Sequence, residues 1–154
     1  GINIPNRQID QLTPADWDRM IGINATGAFN CIFCALPQMR KRGGGLIVNI
    51  SSIAGKRAMM LGGVGYCASK FGVSALGTTV GLEERANGIH VTNVYPGEVD
   101  TPILDDRPTP VPPEKRAQML KPEDIAECVV TIAKLPPRAL VPELVITPLY
   151  QAYA

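Results

Sequence analysis

The chain has 154 residues, with 15 Lys plus Arg against 14 Asp plus Glu and a single His, so its formal charge is +1. A surface built to hold polyanionic phosphates carries a basic excess, and this near-neutral balance argues against a nucleic-acid partner. With 45% apolar and 19% charged residues, and no uninterrupted run of eighteen apolar residues, one globular unit with a buried core and no membrane span is expected.

Residues 1 to 12 are polar and irregular. Thr13-Pro14-Ala15-Asp16 then supplies a hydroxyl cap, a first-turn proline and an acid, which together predict a helix start. Trp17, Met20, Ile21, Ala25, Ala28, Phe29, Ile32, Phe33 and Leu36 follow at spacings that line one face of a long helix, with Trp17 and Phe29 expected in the core. Arg40-Lys41-Arg42 reads as a solvated cap complementing the helix dipole, and Gly43-Gly44-Gly45 ends the helix. Leu46-Ile47-Val48-Asn49-Ile50 reads as a strand buried on both faces, closed by Ser51-Ser52.

The stretch from Gly55 to Gly65 is a glycine-rich loop. Gly62-Gly63-Val64-Gly65 lacks the lysine and preceding strand of a phosphate loop, so it is expected to form a flexible active-site rim. A second helix is predicted from about Tyr66 to Arg85, with Glu83-Glu84-Arg85 as a solvated face and Asn87-Gly88 as the stop. Residues 89 to 94 read as a second strand, His90 having no catalytic partner by position, and Pro96-Gly97 ends that strand. Five prolines between residues 102 and 113 exclude helix and central strand and predict a loop acting as a lid. A third helix over about 121 to 134 and a third strand over 144 to 146 complete the order. Helices alternating with short apolar strands imply parallel pairing and an open α/β sheet. Ligands then collect at the carboxyl ends of the strands, which sets Ser51-Ser52 and Pro96-Gly97 on one rim.

Cysteines at 31, 34, 67 and 128 fall in helix-like apolar stretches. Cys31 and Cys34 have C-x-x-C spacing, but no second pair or neighbouring His completes a metal tetrad. Reduced, helix-buried thiols and no metal are expected. With no basic segment leading into an apolar stretch near Gly1, no signal peptide is expected and a cytoplasmic location is.

Tyr66 and Lys70 stand at i and i+4, one turn apart on one helix face. A phenol is a poor base at neutral pH unless a cation lowers its pKa; so tuned, it can exchange a proton with an alcohol or carbonyl oxygen. Ser52, fourteen residues upstream at a strand end, could hydrogen-bond the same oxygen.

The chain resembles the short-chain dehydrogenase/reductase family in its Ser-Tyr-Lys-Asn tetrad form. The resemblance rests on Ile23-Asn24-Ala25-Thr26-Gly27, Asn49-Ile50-Ser51-Ser52-Ile53-Ala54-Gly55 and Tyr66-Cys67-Ala68-Ser69-Lys70. Asn93-Val94-Tyr95-Pro96-Gly97-Glu98-Val99-Asp100-Thr101 and Lys121-Pro122-Glu123-Asp124-Ile125-Ala126 complete it in family order. The resemblance implies a Rossmann-like doubly wound parallel sheet and NAD- or NADP-dependent interconversion of a small-molecule alcohol and carbonyl. By position, Tyr66 would be the acid/base. Lys70 would lower its pKa and hold the nicotinamide ribose, Ser52 would orient the substrate carbonyl with Ser51 as the structural alternative, and Asn24 would hold a relay water. Pro96, Gly97, Val99 and Thr101 become cofactor contacts, and residues 102 to 120 the substrate loop.

The family's glycine-rich pyrophosphate turn has no counterpart among these residues, and Gly1-Ile2-Asn3-Ile4 resembles the continuation of its Asn-Asn-Ala-Gly stretch. Residues 1 to 154 are therefore expected to be the C-terminal part of the domain, with about three strands and three to four helices. On that expectation the strand at 46 to 50 leaves an open apolar edge, the isolated chain binds the cofactor weakly or not at all, and the region that selects NAD or NADP is absent. The resemblance also implies a homodimer or homotetramer through the helices near 14–40 and 66–85. A non-catalytic α/β fragment or interaction module is the alternative.

Overall fold

A computed structural model describes residues 1–153. Thr13 caps α1 (Pro14–Ile21): its hydroxyl accepts from the Asp16 backbone N–H at 3.1 Å, and Pro14 sits where a missing donor does no harm. The helix widens into a π turn at Gly22–Thr26 and continues as α2 (Gly27–Arg42), ending at Gly43 in the left-handed conformation. The single helix expected over 14 to 40 is therefore one rod with a widened turn, and Asn24 lies in that turn. In length and composition Pro14–Arg42 would suffice to cross a membrane, yet Met20, Asn24 and Ile32 are buried within the protein.

Strands β1 (Gly45–Ile50), β2 (Ile89–Pro96) and β3 (Glu143–Ile146) form one parallel sheet in the order β1-β2-β3, with Ile47 opposite Val91 and Val94 opposite Leu144. α3 (Val64–Glu83) lies between β1 and β2 in the chain, and α5 (Pro122–Ala133) between β2 and β3. This is a Rossmann-like α/β arrangement. β2 is central and buried along almost its whole length. β1 is an edge strand with a neighbour on one side, as expected, but its expected burial on both faces fails: only Asn49 of its residues is buried.

Ile32 and Leu36 of α2, Leu76 and Val80 of α3, and Ile47 and Val91 of the sheet meet in one cluster, so both helices cover the same sheet face. α3 comes closest at Gly77, where a Cβ would lie 2.1 Å from Asn93 Oδ1 and 2.3 Å from Asn49 Nδ2. Those side chains join the strands, Asn49 Nδ2 donating to Asn93 Oδ1 at 3.2 Å. Asn93 Nδ2 in turn donates to Ser74 O at 3.3 Å and Thr78 Oγ1 at 3.2 Å in α3. A polar pair thus sits at the helix–sheet contact, its amides hydrogen-bonded to each other and to α3.

The expectations for Trp17, Phe29, Cys31 and Cys34 fail for a common reason: a spacing of three and four identifies an apolar stripe without saying which residues face a neighbour. Trp17 is 36% exposed and Phe29 48%, Phe29 stacking on exposed Phe33 with ring centroids 5.7 Å apart. Cys31 and Cys34 are exposed because Ile32 and Leu36 turn toward the sheet; Cys67 is buried. The proline-rich stretch, expected to hold no helix, contains a 3-10 turn at Pro102–Asp106 and the one-turn α4 (Pro113–Arg116). Each opens on a proline whose fixed φ suits a first turn.

Glu84, expected on a solvated face, is 4% exposed. The Arg40 guanidinium grips it through Nε, at 2.9 Å, and Nη2, and Asn87 Nδ2 adds a hydrogen bond at 2.8 Å. Arg40 is thus a tie between α2 and the end of α3 rather than a free cap. These donors hold the carboxyl at about 2. Because that lies below its ordinary value of 4.5, the stabilisation is complete above pH 4.5 and lost as the pH falls from 4.5 toward 2. Glu84→Gln is expected to lower the thermal midpoint at pH 7 and to flatten its dependence between pH 4.5 and 2. Parallel wild-type and variant curves over that window would contradict the assignment.

Candidate active site

The carboxyl ends of β1 and β2 open into a cavity of about 620 Å³. Ser52 comes from the turn after β1, Tyr66 from the first turn of α3, and Pro96 and Gly97 from the end of β2; Val99 and Thr101 follow in the segment leading to the lid. All six line the cavity. The chain enters α3 through Gly63, which has a φ of 74°, a conformation suited to glycine. A Cβ at Gly63 would also come within 2.6 Å of Arg7 O.

The two adjacent serines have different tasks. Ser51 Oγ donates to Lys70 O at 3.2 Å and lies 3.2 Å from Ser74 Oγ, so it fastens the β1 end to α3. Ser52 Oγ accepts from Ala54 N at 3.1 Å, capping the turn at Ile53–Gly55. That bond leaves the Ser52 hydroxyl proton free to donate into the cavity.

Burial pushes the Tyr66 phenol above its ordinary value, against the downward pull of the Ser52 hydroxyl first and of Arg7 second. The resemblance implied that Lys70 lowers the phenol. Here the Lys70 ammonium stands over the face of the Tyr66 ring, 5.7 Å from its centroid, behind the cavity wall. Burial has lowered Lys70 itself from 10.5 to about 8, with Ile50 O accepting from Nζ at 3.2 Å.

Asn24 also stands behind the wall. Its Nδ2 donates to Ile2 O at 2.9 Å and Ser69 Oγ at 3.0 Å, and its Oδ1 accepts from Ile2 N at 2.7 Å. Both amide protons are therefore committed to the protein. A water at Asn24 is left the main-chain carbonyl or one remaining lone pair of Oδ1.

Arg7, Glu98 and Gln151 also line the cavity, and residue-pattern reasoning singled out none of them. Glu98 receives Arg107 at 2.7 Å and the Tyr150 hydroxyl, while Gln151 Oε1 accepts from Glu98 N at 2.9 Å. One carboxylate thereby ties the lid and the C-terminal segment to the end of β2. Glu98 lies inside a quoted motif, where a charge at a strand end was a usable signal. Arg7 lies in an irregular segment without periodicity and gave none.

Lys70 carries a cost that can be measured. Below pH 8 it is charged in both folded and unfolded chains and the burial penalty is complete. Between about 8 and 10.5 the folded chain loses the proton first, so wild-type stability rises with pH across that window. Lys70→Met is expected to be more stable than wild type at pH 7 by about 1–3 kcal/mol, with the gap closing toward pH 10.5. Denaturant midpoints at pH 7 and 10 read this directly, and a pH-independent gap would contradict it.

Comparison with known proteins matches residues 1–111 to the short chain dehydrogenase family model. The chain belongs to the short-chain dehydrogenase family. Acetoacetyl-CoA reductase of Rhizobium meliloti is 39% identical over 131 residues, covering 80% of this chain and 53% of that protein. Cis-4-hydroxycyclohexanecarboxylate dehydrogenase of Sinomonas cyclohexanicum is 35% identical over 144 residues, covering 86% and 55%. The chain spans about half the length of these relatives. An alcohol dehydrogenase from the archaeon Thermococcus sibiricus, solved with 5-hydroxy-NADP, superposes with a TM-score of 0.83 at 27% identity, covering 99% of this chain and 62% of that one.

The residues present fit the nicotinamide end of the cofactor that family membership implies. Lys70 is not part of the cavity lining, but its Nζ has one acceptor in Ile50 O, and an ammonium has three donors, so two would be available to ribose hydroxyls of a cofactor reaching past Tyr66. Pro96, Gly97, Val99 and Thr101 form a continuous stretch of cavity wall beside Tyr66. No glycine-rich pyrophosphate turn follows a strand among the described residues.

Proposed function

We propose that the protein to which this chain belongs is an NAD(P)-dependent oxidoreductase interconverting an alcohol and a carbonyl. The observation that carries this reading is the convergence of the Ser52 hydroxyl and the Tyr66 phenol on one cavity at the carboxyl ends of the strands, with the Lys70 ammonium behind the ring. In the reductive direction Ser52 Oγ donates a hydrogen bond to the substrate carbonyl oxygen and Tyr66 Oη delivers the proton to it. When bound, the nicotinamide supplies or accepts the hydride. Lys70 holds the ribose, and the region of Asn24 links Lys70 to solvent. Residues 102 to 120 cover the substrate, their position set by the salt bridges from Arg107 and Lys115 to Glu98.

Exposed Trp17, Ile23, Phe29 and Phe33 on the long rod, with Phe71 and Leu82 on α3, suit burial against a second copy, which supports a homodimer or homotetramer.

The test is titration of reduced nicotinamide, followed by its fluorescence, with the chain alone and with the chain mixed with a separately made first half of a related family member. Binding and turnover of secondary alcohols are expected only after mixing. Micromolar binding by the chain alone would refute the expected dependence on an added first half. Absence of turnover in both cases favours the alternative of a non-catalytic α/β module.

A further inference from the structure

Arg7 is 4% exposed and lies on the wall of the cavity that contains Tyr66. Of the five N–H donors of a guanidinium, three have protein acceptors: Nε donates to Ile4 O at 2.7 Å, Nη1 to Leu61 O at 3.0 Å and Nη2 to Asp106 O. Every acceptor is a neutral backbone carbonyl. Among the described residues no acidic side chain forms an ion pair with Arg7.

The surrounding charges leave this one uncompensated. Arg107 is matched by Glu98 at 2.7 Å, and Lys115 approaches the same carboxylate at 3.6 Å. The charged side chains lining the cavity are Arg7, Glu98 and Arg107, a net of one positive charge. The Asp106 carboxylate favours the Arg7 cation from a distance, while Arg107 opposes it. A buried cation without a counter-ion is destabilising, and joining three carbonyls does not require a full charge. Two N–H groups remain uncommitted on a planar fork whose geometry matches a carboxylate.

We propose that the cavity takes a small hydroxy- or oxo-carboxylate whose carboxylate sits on Arg7 while its hydroxyl or carbonyl meets Tyr66 and Ser52. The anion site stands on Arg7 alone; placement of the reacting group rests on the oxidoreductase reading. Arg7 is then a specificity-determining residue that selects acids over neutral alcohols of the same size.

The test needs neither cofactor nor turnover. The 15N-labelled chain is titrated with butanoate, with butanamide, which has the same shape without the charge, and with inorganic phosphate, while the Arg7 Nε–Hε resonance is followed by NMR. Butanoate is expected to shift that resonance saturably and to bind about tenfold tighter than butanamide, the scale of one charge-assisted hydrogen bond. Phosphate is expected to bind more weakly than butanoate. Arg7→Met is expected to lose the preference for the anion. If that variant does not fold, Arg7→Lys, which keeps the charge without the fork, is expected to bind butanoate several-fold more weakly than wild type.

Equal affinities for butanoate and butanamide, no shift at Arg7, an anion preference surviving in Arg7→Met, unchanged affinity in Arg7→Lys, or tighter binding of phosphate would each overturn the proposal. Failure of turnover with a normal titration would sink the oxidoreductase reading alone.

Discussion

Tyr66→Phe is expected to lower turnover of the reconstituted enzyme by about 10²–10⁴-fold, the range associated with a positioned proton donor, while leaving the unfolding midpoint nearly unchanged. The ring's contact with the Lys70 ammonium does not involve the hydroxyl and is expected to persist in the variant, so lost activity reports the phenolic proton and not lost packing. The direction of the Tyr66 shift adds a pH signature. With burial holding the phenol above its ordinary value of 10.0, the protonated form dominates at neutral pH. Carbonyl reduction, which uses that form, is expected to be flat through pH 6 to 8. Alcohol oxidation, which needs the phenolate, is expected to rise steadily with pH. Retention of wild-type turnover in Tyr66→Phe, or an oxidation rate that falls with rising pH, would remove Tyr66 from the chemistry.

Gly77→Ala is expected to destabilise the fold by about 2–4 kcal/mol, although alanine is the better helix former by about 1 kcal/mol. The new methyl would lie 2.1 Å from Asn93 Oδ1 and 2.3 Å from Asn49 Nδ2. Either α3 lifts off the sheet or the Asn49–Asn93 hydrogen bond opens, leaving buried amides without partners. Gly72→Ala, in the same helix, is the control: its Cβ would meet only Ala25 Cβ, at the ordinary distance of 3.7 Å. That variant should be neutral or slightly stabilised. Denaturant midpoints for the two variants separate crowding from propensity, and equal midpoints would show that α3 does not press on the sheet there.

Turn chemistry was the most legible part of the chain. Thr13-Pro14-Ala15-Asp16 announced α1 and Gly43 the end of α2, because caps act within four residues and are written locally. Tyr66 and Lys70 were likewise readable as one helix face. Their electrostatics were not, since the Tyr66 phenol responds to Arg7, fifty-nine positions earlier in the chain. Glu84 looked like one charge in a polar run until Arg40 arrived from another helix. Trp17 and Phe29 illustrate the converse, being apolar at the right spacing yet facing outward from the chain's own core.

The amino-acid sequence by itself determined the alternation of helices and strands, the parallel sheet that alternation requires, and the rim that brings Ser51-Ser52 and Pro96-Gly97 together. These follow from periodicity, turn residues and the handedness of crossovers, which depend on neighbours along the chain. Only the tertiary structure decided that Gly77 presses on a polar Asn pair and that Arg7 and Glu98 enter the cavity as one uncompensated and one compensated charge. Those outcomes depend on burial and on charges brought together from distant segments. Burial sets both the cost of an ion and the pKa of a phenol, and it exists only once the chain has closed on itself.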